Sequence, residues 1–254
     1  MLPRPKKRFG QHFLTDRHYL RRIVAAIDPK PGEAMVEIGP GTGLLTEALL
    51  PAVGRLDVVE IDPSLAEDLR NRFGADRVRV HEADALEFDF ASLPAPLRVV
   101  GNLPYNVSTP ILFRIAAQAA RIADCTFMLQ KEVVDRMVAA PGTADYGRLS
   151  VMLQYRFEMH PLLKVPPGAF TPPPKVDSAV VRMMPLPATR PVAHDEALFA
   201  ALVAAAFSQR RKTLRNAARA LAGEDAFARA GIDARRRGET LSVAEFIALA
   251  DAIG

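Results

Sequence analysis

Residues 34–62 restrict the fold more than any other part of the chain. Ala34-Met-Val-Glu-Ile38 reads as a strand, and Gly39-Pro-Gly41-Thr-Gly43 as a glycine-rich turn. Leu44 to Leu50 predicts a helix, and Arg55 to Ile61 a second strand that ends at Glu60 and Asp62. A strand, a glycine turn, a helix and a strand closed by an acid form the nucleotide-binding half of a doubly wound α/β sheet. The glycines let the backbone approach a ligand, and the acid at the second strand end can accept both hydroxyls of a ribose. The spacing is G-x-G-x-G, preceded by Glu37. Position 44, where a dinucleotide fingerprint needs its third glycine, is Leu, and no Lys-Ser/Thr follows as in a P-loop. The pattern fits an adenosine ligand without a pyrophosphate, such as S-adenosylmethionine. A glycine turn alone is also compatible with a purely structural bend; Glu60 at this place favours the ligand.

The second constraining stretch is Val99-Val100-Gly101-Asn102-Leu103-Pro104-Tyr105-Asn106. Two β-branched residues suit a sheet-centre strand. Gly101 permits a close backbone approach. Pro104 fixes its own φ, biases Leu103 towards an extended conformation and has no N–H to donate. The turn therefore offers two acceptors, the Asn102 side-chain oxygen and the Leu103 carbonyl, beside the aromatic face of Tyr105. Two acceptors next to a flat ring suit a planar group bearing an NH2, such as a nucleobase amine. An ordinary strand-to-helix turn uses the same residue types.

The rest of the chain supplies context. A helix over 17–27 is capped by Asp16, with Ile23, Val24 and Ile27 on one face. A further helix over 63–73 opens at Pro63, and a strand at 78–81 leads to Asp84, placed to accept an adenine amine or simply to cap a helix. Thr109-Pro110 predicts the start of a helix over 110–120. A strand over 122–129 and a helix over 131–139 follow. Strands are also expected at 157–165 and 177–184. Between them, the proline-rich loop 165–175 is stiff enough to hold one exposed aromatic, Phe170, whose alternative is a hydrophobic plug. Helices are expected at 196–206, 213–222, 226–230 and after the capping box Ser242-Val-Ala-Glu245. The domain boundary is expected at 189/190.

A single cysteine, Cys125, excludes an intramolecular disulfide framework and a Cys-rich zinc site. The longest apolar stretch, Ala197 to Phe207, is too short to span a bilayer, so no membrane partner is expected. The expected compartment is the cytoplasm. The net charge is only +4, but residues 1–22 hold seven Lys/Arg against one Asp, interleaved with Phe9 and Phe13. Further basic clusters occur at Arg210-Arg211-Lys212, Arg215, Arg219 and Arg235-Arg236-Arg237. Basic flanks with aromatics suit nucleic acid: charge for phosphates, rings for bases. A solvated charged face explains charge alone equally well.

Six segments in order carry a family resemblance: Arg-Phe-Gly-Gln-His-Phe-Leu (8–14), Glu-Ile-Gly-Pro-Gly-Thr-Gly (37–43), Glu-Ile-Asp (60–62), Ala-Asp-Ala (83–85), Gly-Asn-Leu-Pro-Tyr (101–105) and Phe-Thr-Pro-Pro-Pro-Lys-Val-Asp-Ser (170–178). Together they make the chain resemble the small-subunit rRNA adenine N6,N6-dimethyltransferases over nearly its whole length. The resemblance implies an α/β, Rossmann-like S-adenosylmethionine-dependent methyltransferase domain over 1–189 and a small all-α RNA-binding domain over 190–254. It implies dimethylation of two adjacent adenines in a 16S rRNA hairpin loop, with the small ribosomal subunit precursor as partner. It also implies that Gln11, His12, Leu14, Gly39, Gly41, Gly43, Glu60, Ile61, Asp84, Ala85 and Asn102 serve the cofactor. Asn102, Leu103, Pro104, Tyr105 and Phe170 would serve the target base. Position 12, often Asn in this family, is His. A monomer without a metal is expected. The alternatives are a 23S rRNA adenine methyltransferase, a non-catalytic ribosome-assembly factor and an NAD-dependent oxidoreductase, the last disfavoured by the glycine spacing.

Overall fold

In the computed structural model the described residues are 11–209 and 211–254; the arm residues Arg4, Lys6, Lys7, Arg8 and Phe9, and Arg210, lie outside them. Two compact units share the chain. One extends to Val134 and takes in Met159–Pro185; the other comprises Asp135–Glu158 and Leu186–Gly254.

The strands, in chain order, are β1 (Phe13–Leu14), β2 (Ala34–Ile38), β3 (Leu56–Glu60), β4 (Val78–Glu82), β5 (Leu97–Asn102), β6 (Ile122–Gln130), β7 (Phe157–Val165), β8 (Phe170–Thr171) and β9 (Ser178–Pro185). Seven of them form one sheet in the order β4-β3-β2-β5-β6-β9-β7. β4, β3, β2, β5 and β6 run parallel, and β9 joins β6 antiparallel. Parallel central strands are covered on both faces, which is why Val36, Val58, Val99 and Val100 are buried to 2% exposure or less. The order reverses between β3-β2 and β5-β6, so a crevice opens at the carboxyl ends of β2 and β5. Gly101 makes this junction possible. A Cβ there would lie 2.4 Å from the Ile38 carbonyl oxygen, so β2 and β5 close only on a glycine.

The helices of this unit are α1 (Arg17–Ile27), α2 (Leu44–Val53), α3 (Pro63–Phe73) and α4 (Ser108–Ala116); α5 (Lys131–Val138) leaves it. Asp16 starts α1, its carboxylate accepting the His18 and Tyr19 amides at 2.7 and 3.4 Å. The buried Arg98 guanidinium at the start of β5 holds the end of α1, donating to the Ile27 carbonyl and forking onto Asp124 at 2.7 and 2.9 Å. The short β1 pairs with β8, laying residues 13–14 across 170–171.

The sequence-based elements differ in three places. α4 begins at Ser108 with Val107 at its N-cap, so Thr109 and Pro110 lie inside its first turn and the helix ends at Ala116, not 120. The helix expected over 213–222 is a single turn, α8 (Leu214–Ala217), ended by backbone bonds back to Leu214 and Ala218. Residues 135–158, expected in the first domain, pack with the carboxyl-terminal helices. There α6 (Arg148–Gln154), α7 (Glu196–Ser208), α8, α9 (Glu224–Ala230) and α10 (Val243–Ile253) enclose an apolar core. Tyr146, Val151 and Tyr155 are part of that core, with Phe199, Leu202 and Phe246. Burying three large side chains outweighs sequence proximity to the sheet. α10 starts at the expected capping box, with Ser242 Oγ accepting the Glu245 amide.

Candidate active site

One cavity of about 330 Å³ fills the crevice, bounded by β1, α1 and the carboxyl ends of the parallel strands. Gln11, His12, Leu14, Gly39, Gly41, Glu60, Ile61, Asp84, Ala85, Asn102, Leu103 and Pro104 all line it. Residues up to 93 positions apart in sequence thus meet: those from Gly39 to Pro104 lie at or just past strand ends on one edge of the sheet, and Gln11, His12 and Leu14 come with β1. The size suits a ligand of nucleoside dimensions.

The glycine turn is shaped by its glycines in different ways. Gly41, at φ +57°, leaves space that the Phe13 ring fills, since a Cβ would lie 3.0 Å from that ring. Gly43 does not line the cavity. It is the N-cap of α2 at φ +73°, and a Cβ there would meet Leu69 at 2.7 Å. Its requirement is helix packing.

Glu60 closes β3. Its two oxygens accept the Gly41 amide at 3.1 Å and the Asp62 amide at 2.9 Å. Burial pushes its pKa up, and these amides oppose that shift. The carboxylate is thereby fixed at the cavity wall with lone pairs left for vicinal hydroxyls. Ile61, 44% exposed, presents an apolar surface beside it. Asp84 lines the cavity, and one of its oxygens accepts the Leu86 amide at 2.8 Å across a turn that does not continue into a helix.

Glu37, quoted in the sequence only as the residue before the turn, is a second buried carboxyl on the cavity wall. The Thr46 hydroxyl donates to it at 2.5 Å. Burial raises its pKa to about 8, opposed by the Thr46 bond and reinforced by Glu60. Its place at the end of a buried strand was the available signal.

At the carboxyl end of β5, the Asn102 Nδ2 donates to the His12 carbonyl at 2.9 Å. That bond fixes the amide nitrogen, and among the described residues no donor occupies its oxygen. The Leu103 amide donates to the Met128 carbonyl at 3.1 Å, and among the described residues no donor occupies the Leu103 carbonyl. Asn102 and Leu103, the residues read from the sequence as acceptors, both line the cavity. Tyr105 lies beyond its lining. Its ring stacks on His12, centroids 5.4 Å apart at 25°, and its hydroxyl shares a 2.6 Å hydrogen bond with Ser178 Oγ. His12 Nδ1 donates to the Pro172 carbonyl at 2.8 Å. So the residue before β1 is tied to the Asn102–Tyr105 turn by a hydrogen bond and a ring stack, and to the loop after β8 by the Pro172 carbonyl. The sequence did not signal this arrangement.

Phe170 is not exposed. It is 3% accessible and packs in the sheet core with Ile23, Val100 and Val180, and it does not line the cavity. The stiff loop places the ring inward because β8 pairs with β1, so the hydrophobic plug replaces the expected exposed aromatic.

Comparison with known proteins finds relatives over nearly the whole chain. The family model described as ribosomal RNA adenine dimethylase matches residues 3–253. A protein named ribosomal RNA small subunit methyltransferase A from Aromatoleum aromaticum is 60% identical over 250 residues, covering 98% of this chain and 94% of the relative. One of the same name from Laribacter hongkongensis is 58% identical, covering 98% and 96%. Among solved structures, a dimethyladenosine transferase from Plasmodium falciparum superposes with a TM-score of 0.81 at 25% identity, covering 94% of this chain and 96% of the other. The 23S rRNA methyltransferase ErmE superposes with a TM-score of 0.70 at 28% identity, covering 95% and 99%.

Proposed function

The chain belongs to the ribosomal RNA adenine dimethylase family, and from that premise we propose how its site acts: it transfers methyl groups from S-adenosylmethionine to N6 of two adjacent adenosines in a 16S rRNA hairpin loop. The relatives at 58–60% identity are small-subunit enzymes, whereas the 23S enzyme ErmE is 28% identical, which favours the small subunit over the 23S alternative. The glycine turn, Glu60 and the acceptor turn converging on one cavity favour an enzyme over a non-catalytic assembly factor.

The residues present fit this cofactor. Glu60, held by two backbone amides, would accept the ribose hydroxyls. Asp84 would accept the adenine amine, and Ile61 and Ala85 would flank the ring. Gln11, His12 and Leu14, with Gly39 and Gly41, would enclose the remainder. When bound, the cofactor supplies an electrophilic methyl group.

The chain's own contribution is the acceptor pair. Adenine N6 is a poor nucleophile because its lone pair is delocalised into the ring. The Asn102 side-chain oxygen and the Leu103 carbonyl, holding the two N6 hydrogens, favour a pyramidal nitrogen whose lone pair is released. That arrangement binds the transition state better than the planar ground state. A base of tuned pKa is then not required, and the proton leaves after transfer. His12 holds the Asn102 amide and backs the Tyr105 ring, which is set to stack on the target base. A base must leave its own stack to reach the turn, and a loop adenine does so at lower cost.

The observation that carries this reading is the Asn102–His12 bond, because it leaves the amide oxygen, not the nitrogen, free at the cavity. Incubating the protein with methyl-labelled S-adenosylmethionine and purified small or large subunits tests it. Label is expected in the small subunit; label in the large subunit alone would sink the assignment. A ribosomal RNA substrate supports the cytoplasm as the site of action.

A further inference from the structure

The described cations are not evenly committed. Arg70, Arg72, Arg98, Arg156, Arg182, Arg215, Arg235 and Arg236 each have an acidic partner within 3.1 Å. Among the described residues Arg17, Arg21 and Arg22 on α1 have none, and all three are exposed. α1 carries no acid from Arg17 to Ile27. The nearby carboxylates are occupied: Asp16 on backbone amides, Asp28 on Lys30, Glu33 on Arg98 and Glu47 on Arg72.

The geometry of α1 sorts its residues cleanly. At ~3.6 residues per turn, Arg17, Arg21, Ala25, His18 and Arg22 fall on an arc of about 140°. Ile23 and Ile27 are buried on the other side, and Leu20 and Ile23 line the cavity. One helix therefore forms part of the cofactor wall with its inner face and presents three unpaired guanidiniums on its outer face. An ordinary solvated helix face mixes both signs and pairs them at i, i+4; this one does neither.

We propose that the outer face of α1 is a docking surface for RNA backbone phosphates flanking the target loop, with Arg17, Arg21 and Arg22 as its contacts. The inference rests on the reading of the site as an rRNA methyltransferase and adds where, beside the cavity, the strand is gripped. Guanidiniums suit this because their planar fork matches phosphate oxygens. The contacts carry no base information and set register and affinity. Because α1 abuts the cavity, strand held on its outer face is held close to the acceptor turn.

The test compares the wild-type chain with R17Q/R21Q/R22Q and with Ala25→Arg, which adds a cation to the same exposed arc. Steady-state methylation of purified small subunits is measured over a salt series, and S-adenosylmethionine affinity by calorimetry. For the triple variant, KM for the subunit is expected to rise about tenfold, and the slope of log kcat/KM against log salt to flatten by about 2, at ~0.7 per single-stranded phosphate contact. Saturated kcat and cofactor affinity are expected to stay within twofold. Ala25→Arg should lower KM and steepen the slope. An unchanged KM and slope in both variants overturns the proposal, as does a fall in kcat with KM unchanged, which would mark a structural role. A response to acidic proteins or anionic vesicles in place of the subunit would also overturn it. Wild-type protein that methylates no subunit at all would defeat the reading of the site itself, a result separable from failure of the variants alone.

Discussion

Replacing Asn102 by Ala removes one oxygen and one amide, and the structure separates their effects. The oxygen is the proposed acceptor; the amide nitrogen donates to the His12 carbonyl at 2.9 Å. Losing one preorganised polar partner of a transition state costs about 10²–10³ in kcat, about 2.7–4 kcal/mol. Losing the bond to His12 leaves a half-buried carbonyl without its donor, about 1 kcal/mol, which falls on the β1 segment and not on the reacting nitrogen. The expected result is a fall of at least about 10²-fold in single-turnover methylation with S-adenosylmethionine affinity within severalfold of wild type. His12→Ala serves as the companion, because it keeps the backbone carbonyl that holds Asn102 while deleting the ring on Tyr105. It should reduce the rate less than Asn102→Ala. Near-normal turnover in Asn102→Ala, or a loss explained wholly by weaker cofactor binding, would refute the acceptor role.

Three further outcomes follow from burial. Glu37 has a folded pKa raised from 4.5 to about 8, so its contribution to stability is fullest below pH 4.5 and is lost as pH rises to about 8; at ~1.36 kcal/mol per unit this is about 5 kcal/mol at most. Glu37→Gln, which keeps an acceptor for Thr46, should flatten that loss in urea unfolding of the ligand-free protein between those pH values, and an unchanged slope would count against it. Phe170→Ala should cost about 3–5 kcal/mol of stability by emptying a core site, while the folded fraction keeps its kcat at saturating RNA; a stable variant with lost kcat would restore the aromatic to the target base. Gly101→Ala should destabilise by more than the ~1–3 kcal/mol of ordinary overpacking, because its methyl would meet the Ile38 backbone at 2.4 Å and not a movable side chain; a melting temperature like the wild type's would contradict that.

What the sequence made readable was local. β2, the glycine turn, β3 and its closing acid are encoded within 34–62, and a parallel sheet fixes where their ends go. Glu60, Asp84 and Asn102 were therefore placed on one edge by position alone. What escaped depends on contacts between distant segments. Phe170 turns inward because β1 pairs with β8, and the His12–Tyr105 stack joins segments whose hydrogen-bonded neighbours His12 and Asn102 are 90 residues apart. Gly43 reads like Gly39 in sequence, yet it answers to Leu69 and Phe73. Residues 135–158 leave the sheet for the helical core because Tyr146, Val151 and Tyr155 find apolar partners there, a choice that no local pattern reveals.

The Asn102–Leu103 acceptor pair is proposed to serve two adjacent adenines of 16S rRNA. Mapping modified bases by mass spectrometry, on small subunits treated with the wild-type protein and S-adenosylmethionine, tests it most directly. N6,N6-dimethyladenosine is expected at two neighbouring loop positions, and none with Asn102→Ala. Methylation at other bases, or an unaltered pattern from that variant, would contradict it.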